Sequence, residues 1–164
     1  LLALGLGSFL LQARRFYRNR MRPSLDPGMK LAAGGLVVLG AGLVLAWPVV
    51  MATATPRVAT AYVMLLLLGI TLFVAAHYYK IVPFLVWFHR FGPLAGKRPL
   101  PRVAELYSGR LASVAVSLLG IGAVTLPVSV LMGHAAATTA AAGLLATGVL
   151  VEAGQMAAVA RSRP

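Results

Sequence analysis

The chain has 164 residues, 60% hydrophobic and 11% charged, with a formal net charge of +12 and no cysteine. A soluble domain carries about 25% charged residues, so this is the composition of a membrane protein. The missing cysteines exclude disulfides, iron–sulfur clusters, thiolate metal sites and cysteine nucleophiles. The positive charge does not point to nucleic acid, because it falls between apolar runs rather than on one face of a soluble fold.

Leu1–Gln12 is apolar but too short to cross a bilayer, and it lacks the basic leader of a signal peptide. It reads as the tail end of a transmembrane helix whose beginning is missing, and on that reading the chain is expected to be part of a longer protein. A basic loop over 13–30 follows, with Arg14, Arg15, Arg18, Arg20, Arg22 and Lys30 against one acid, Asp26. Asp26-Pro27-Gly28 is a helix-start signal: the aspartate caps a helix whose first turn begins at Pro27. Residues 31–51 then form an uncharged run long enough for the roughly 30 Å hydrocarbon core. Its glycines Gly34, Gly35, Gly40 and Gly42 suit close backbone packing in lipid, and Trp47 and Pro48 mark its exit at an interface.

The next apolar run starts near Val58. Continued to Phe88, it would measure roughly 45 Å, too long for the core, so a kink or break is expected at Pro83, with Ile81–Phe88 bending along the interface. The loop over 89–110 is the longest polar stretch. Gly92-Pro93 and Pro99-Leu100-Pro101 interrupt it, and Val103–Tyr107 suits one helical turn. Residues 111–132 form a further span, and Gly133-His134 alone separates it from the last one, which predicts a tight antiparallel hairpin. The last span carries Thr139, Gly143 and Thr147 at four-residue spacing, a small-residue stripe that lets a neighbouring helix approach closely.

The expected architecture is an all-α polytopic transmembrane bundle in a single membrane domain over 1–164. Its spans are a partial one at about 1–12, then 31–51, 58–80 with an interfacial extension to 88, 111–132 and 135–153. If each run crosses once, six basic residues in loop 13–30, five in loop 89–110 and two in the tail share one side, and Arg57 is alone on the other. By the positive-inside rule both loops and the C-terminus are cytoplasmic, in a bacterial inner membrane with anionic headgroups.

Candidate chemistry concentrates in Phe73–Phe91. His77 and Lys80, three apart, share a helix face. An imidazole can ligate haem iron or a metal, and an intramembrane lysine can relay protons or pair with a propionate, so both are candidate cofactor-binding residues. The alternative is positional: Lys80 snorkels to the headgroups, and Tyr78, Tyr79, Trp87 and Phe88 form an aromatic belt. Glu152 is expected in an ion pair with Arg161 or at the interface. Three acids, Asp26, Glu105 and Glu152, make no paired acid–base set, and no phosphate loop or histidine pair for a metal is present.

The stretch HYYKIVPFLVWFHRFGPLAGKRPLPRVAELYS resembles a group of uncharacterised bacterial polytopic membrane proteins that share a KIVPFLVW core followed by a basic loop ending in Leu-Tyr-Ser. RPSLDPGMKLA resembles the cytoplasmic loop entering a span in the same group. Over about residues 14–110 these are similar to distant relatives of the haem-copper oxidase main subunit and of NnrS-type haem membrane proteins. That resemblance implies a haem, with His77 at the ligand position. The chain departs from the haem-copper pattern in lacking the other ligand histidines in its spans, since His89 and His134 fall in loops.

Three functions fit this reading. The first is a non-catalytic accessory subunit of a larger membrane energy-converting complex, respiratory or photosynthetic, with other transmembrane subunits as partners. The second is a haem-binding or gas-responsive membrane protein using His77, and the third is a transporter whose site is the broken helix at Pro83.

Overall fold

The computed structural model describes residues 2–19, 25–51 and 55–163. It is all-α, with no strand among the described residues. Among the described residues five α-helices run in order: α1 Leu2–Arg18, α2 Pro27–Val50, α3 Pro56–Val86, α4 Gly109–Met132 and α5 Ala135–Arg161. The last four are long and apolar enough to cross a membrane, as a multi-pass membrane protein requires.

Each start has a local cause. The Asp26 carboxylate accepts from the Met29 backbone N–H at 2.8 Å, with Pro27 beginning the first turn, as the sequence predicts. Thr55 caps α3 through Val58 N–H, and Ser108 caps α4 through Leu111 N–H, both at 3.4 Å. The stop of α4 is Gly133, whose φ of +71° closes the helix in the left-handed conformation that glycine adopts without strain. The two-residue turn Gly133-His134 then reverses the chain into α5.

Helix pairing is antiparallel and set by glycines. A Cβ on Gly35 would lie 2.9 Å from the Gly69 carbonyl oxygen and the Phe73 nitrogen, and one on Gly69 would lie 2.6 Å from Leu39 Cγ, so α2 and α3 meet almost backbone to backbone. Further along, Gly42 meets Leu65 and Leu66, and towards the start of α2 Gly28 meets Ala76 and Tyr79. The hairpin of α4 and α5 repeats the device, with Gly122 against Leu145 and Gly148 against Leu119. Leu31, Val38, Leu65, Leu72, Leu119 and Ala123 belong to the core where α2, α3 and α4 converge. α1 lies along α2, with Leu10 against Gly40 and the Tyr17 hydroxyl donating to the Met29 carbonyl at 2.9 Å.

Three features differ from the sequence expectations. α3 stays helical through Pro83, with no break there, and the proline ring is fully buried inside the bundle. The departure from α geometry comes later, as a five-residue π turn at Trp87–Phe91 followed by a 3-10 turn at Gly92–Leu94. The stripe Thr139, Gly143, Thr147 faces outward, and a Cβ on Gly143 would meet nothing within 4 Å, so Gly148 makes the close approach to α4 instead. Gly34 likewise has open space.

The charged loops gather at one end of the bundle. Arg14, Arg15, Arg18 and Lys30 are exposed there, while Arg20 and Arg22 lie outside the described residues. The loop over 89–110 folds back on this end. Trp87 Nε1 donates to the Pro101 carbonyl at 2.7 Å, Arg90 donates to the Ser162 carbonyl, and Val103–Glu105 makes a short 3-10 turn. At the opposite end, the Arg57 guanidinium lies against Gly133, beside the carbonyl end of α4.

Candidate functional site

Polar side chains from four elements meet at the basic end of the bundle. The Asp26 cap reaches across to α3, where Lys80 Nζ lies 3.6 Å from its Oδ2, both side chains about half exposed. Pair and aromatic rings together line an open cleft of about 580 Å³ with Tyr79, Phe84, Val103 and Tyr107. The two tyrosine rings meet at 5.4 Å and 57°. Burial, and then the negative charge of Asp26, push the Tyr107 phenol above its ordinary value.

Behind the cleft the cluster turns inward. Tyr79 is only 2% exposed, and its hydroxyl lies 3.3 Å from the carboxamide of Gln155 on α5. With the amide oriented to match donors to acceptors, Gln155 accepts from the Tyr79 hydroxyl and from the Ala112 N–H at 3.1 Å, and donates to the Ser108 carbonyl at 3.0 Å. One buried amide thus ties α3, the start of α4 and α5 together.

Glu152 lies one turn further into α5 than Gln155. It is 6% exposed, and its Oε1 has no hydrogen-bond partner among the described residues. The expected pairing with Arg161 is not formed: that side chain is exposed at the end of α5, more than two turns away. The carboxyl instead lines a groove of about 260 Å³ between α3 and α5, with Tyr78, Val82, Val149, Ala153 and Met156.

His77 and Lys80 separate in the structure. Lys80 turns towards Asp26, whereas His77 is exposed, with Nδ1 2.6 Å from the Phe73 carbonyl oxygen and its ring 4.8 Å from that of Phe73. Phe73 in turn meets Phe9 of α1 edge-on at 6.0 Å. His89 and His134 are both exposed, and no group of three histidine, aspartate or glutamate side chains gathers among the described residues.

Tyr79, expected in the aromatic belt, is instead buried against Gln155, and neither Tyr107 nor Gln155 was a candidate from the sequence. One signal for the last was present: Glu152 and Gln155 sit three apart in an apolar run, so they share a helix face, and in a membrane that face turns inward.

The chain matches no known protein family, no curated protein and no solved structure. Fold and site define its class: a multi-pass helical membrane protein with a polar cluster running from one end into the span of its last helix.

Proposed function

We propose that this chain is a non-catalytic integral subunit that packs against further transmembrane helices of a larger assembly. The observation that carries the reading is the outer face of α5. Thr139, Gly143 and Thr147 are exposed there, and Cβ atoms on Gly143 and Gly154 would meet nothing within 4 Å. Without a hydrophobic force between helices in lipid, association depends on close packing, and small residues permit it. The setting proposed for it is an energy-converting complex, respiratory or photosynthetic, in which such a bundle would pack against larger subunits. The thirteen-to-one division of basic residues supports a bacterial inner membrane with the basic end cytoplasmic.

Mild-detergent extraction followed by native mass spectrometry tests the reading. Wild-type protein should run with other membrane subunits, and Gly143→Leu should release it while leaving its own helix content intact. A stable lone monomer from wild-type membranes would overturn it.

A second reading, haem binding at His77, is favoured by one contact. With Nδ1 donating to the Phe73 carbonyl, the ring is oriented and Nε2 is left as the ligating atom, the arrangement common to histidines that bind metal. One histidine supplies one axial position, so a second ligand would come from another chain or from solvent. An absorption spectrum with no Soret band, or one unchanged in His77→Ala, sinks this reading.

A further inference from the structure

We propose that Glu152 is an intramembrane proton-binding carboxyl, open to the lipid through the groove between α3 and α5. Three independent features of its surroundings lead there. The side chain is 94% buried within a membrane-spanning helix, and Oε1 finds no donor among the described residues. An ionised carboxylate in such a place lacks the cation or donors that would offset its desolvation, whereas a neutral acid does not need them.

Nothing that packs around it supplies a charge. From α3 it is faced by Tyr78 and Tyr79, and the Tyr79 hydroxyl is committed to Gln155. From α4, the contacts Gly148–Leu119 and Gln155–Ala112 bracket it, which puts Ala115 opposite. On α5 its polar neighbour is the neutral Gln155. Lys80 pairs with Asp26 in the cleft beyond Tyr79.

One groove reaches the carboxyl from the lipid side, and a chain of polar groups approaches it from the basic end. The groove is lined by Val82, Val149, Ala153 and Met156, and Val149 and Tyr78 are about half exposed on the outer surface of the bundle. From the basic end, the Asp26–Lys80 cleft leads through the phenols of Tyr107 and Tyr79 to Gln155, which adjoins Glu152 by one turn. That polar chain stops one turn short of Glu152, whose Oε1 has no partner among the described residues, so the groove is the way an apolar reagent reaches the acid. The inference is independent of the assembly reading, because the groove and the small-residue face lie on different sides of α5.

The test is carbodiimide labelling of the purified full chain in lipid nanodiscs. The carboxylic oxygen adds to the central carbon of dicyclohexylcarbodiimide and its proton passes to a carbodiimide nitrogen, so only the protonated acid reacts. Peptide mapping should find the adduct on Glu152 and not on Asp26 or Glu105, which lie outside the spans. Its rate should fall by about tenfold per pH unit above the midpoint, following the protonated fraction. A water-soluble carbodiimide should reverse that selectivity. Absence of an adduct at Glu152 across the pH range, or a rate that does not change with pH, overturns the proposal. Because the readout is the wild-type pH profile, it holds even if Glu152→Gln fails to fold. Where that variant folds, it should also lose the infrared carbonyl band of a weakly hydrogen-bonded acid, and a band that persists counts against the assignment.

Discussion

Asp26 serves two structural purposes that a pair of substitutions separates. As the α2 cap it satisfies the Met29 N–H, an interaction whose loss typically costs about 1 kcal/mol. As the partner of Lys80 at 3.6 Å, half exposed, it adds no more than about 1 kcal/mol after screening. Asp26→Asn keeps the cap and loses the pair, so its thermal midpoint in detergent should match that of Lys80→Met, with Asp26→Ala below both. Equal losses in Asp26→Asn and Asp26→Ala would mean that the ion pair dominates. The same carboxylate acts on two phenols. Burial first, and Asp26 second, raise both Tyr17 and Tyr107 above the ordinary value of 10.0. The folded state therefore holds these protons longer than the unfolded state does. Their contribution to stability is complete below pH 10 and is lost as the pH rises beyond it. An alkaline absorbance titration should show late-titrating tyrosines whose midpoints fall in Asp26→Asn. Gln155 is the residue whose loss should be felt most widely, since Gln155→Leu strands the buried Tyr79 hydroxyl and unties α3 from α5, while the Ser108 carbonyl keeps the Ala112 N–H at 2.9 Å.

At the scale of the helix, glycines of identical sequence character have opposite meanings. A methyl on Gly35 would press on backbone atoms of Gly69 and Phe73 at 2.9 Å, which no rotamer change relieves. Gly35→Ala should therefore destabilise the purified chain by about 1–3 kcal/mol, the usual effect of overpacking. Gly143→Ala enters open space and should leave the midpoint of the isolated chain unchanged. Thermal unfolding of the two variants side by side checks both. If they behave alike, the outward placement of Gly143 is wrong. The same contrast shows where sequence reading stops. Glycine-rich runs announce close helix packing, but α5 holds Gly143, Gly148 and Gly154 in one apolar stretch. Only the register with α4 selects Gly148, through Leu119. Lipid-facing and core-facing surfaces are both apolar, so the amphipathic pattern that would reveal the inner face of a helix in water is missing.

Across the whole molecule, the basic end is more than a collection of loops. Trp87 holds Pro101, Arg90 holds Ser162, and the Asp26–Lys80 pair ties the start of α2 to α3. The proposed cytoplasmic orientation of this end is directly testable, because the chain has no cysteine and a single introduced thiol reports without background. In intact spheroplasts Ala95→Cys should resist a membrane-impermeant maleimide and His134→Cys should react. The reverse pattern would invert the topology.

The sequence by itself determined what one-dimensional physics can determine. The positions of the long apolar helices follow from runs matched to the bilayer thickness. The Asp26 cap and the Gly133-His134 hairpin follow from local backbone chemistry, complete within a few residues of chain. Tertiary structure decided the rest. It kept α3 helical through Pro83, turned Lys80 towards Asp26 and His77 towards Phe73, and joined Tyr79 to Gln155 from helices far apart in the chain. It also put Glu152, expected in an ion pair or at the interface, into a buried groove without a partner for Oε1 among the described residues. The reason is common to all of these. A polar group in a membrane is satisfied, or left unsatisfied, by what the neighbouring helix brings to the same depth, and no local pattern encodes that depth or that neighbour.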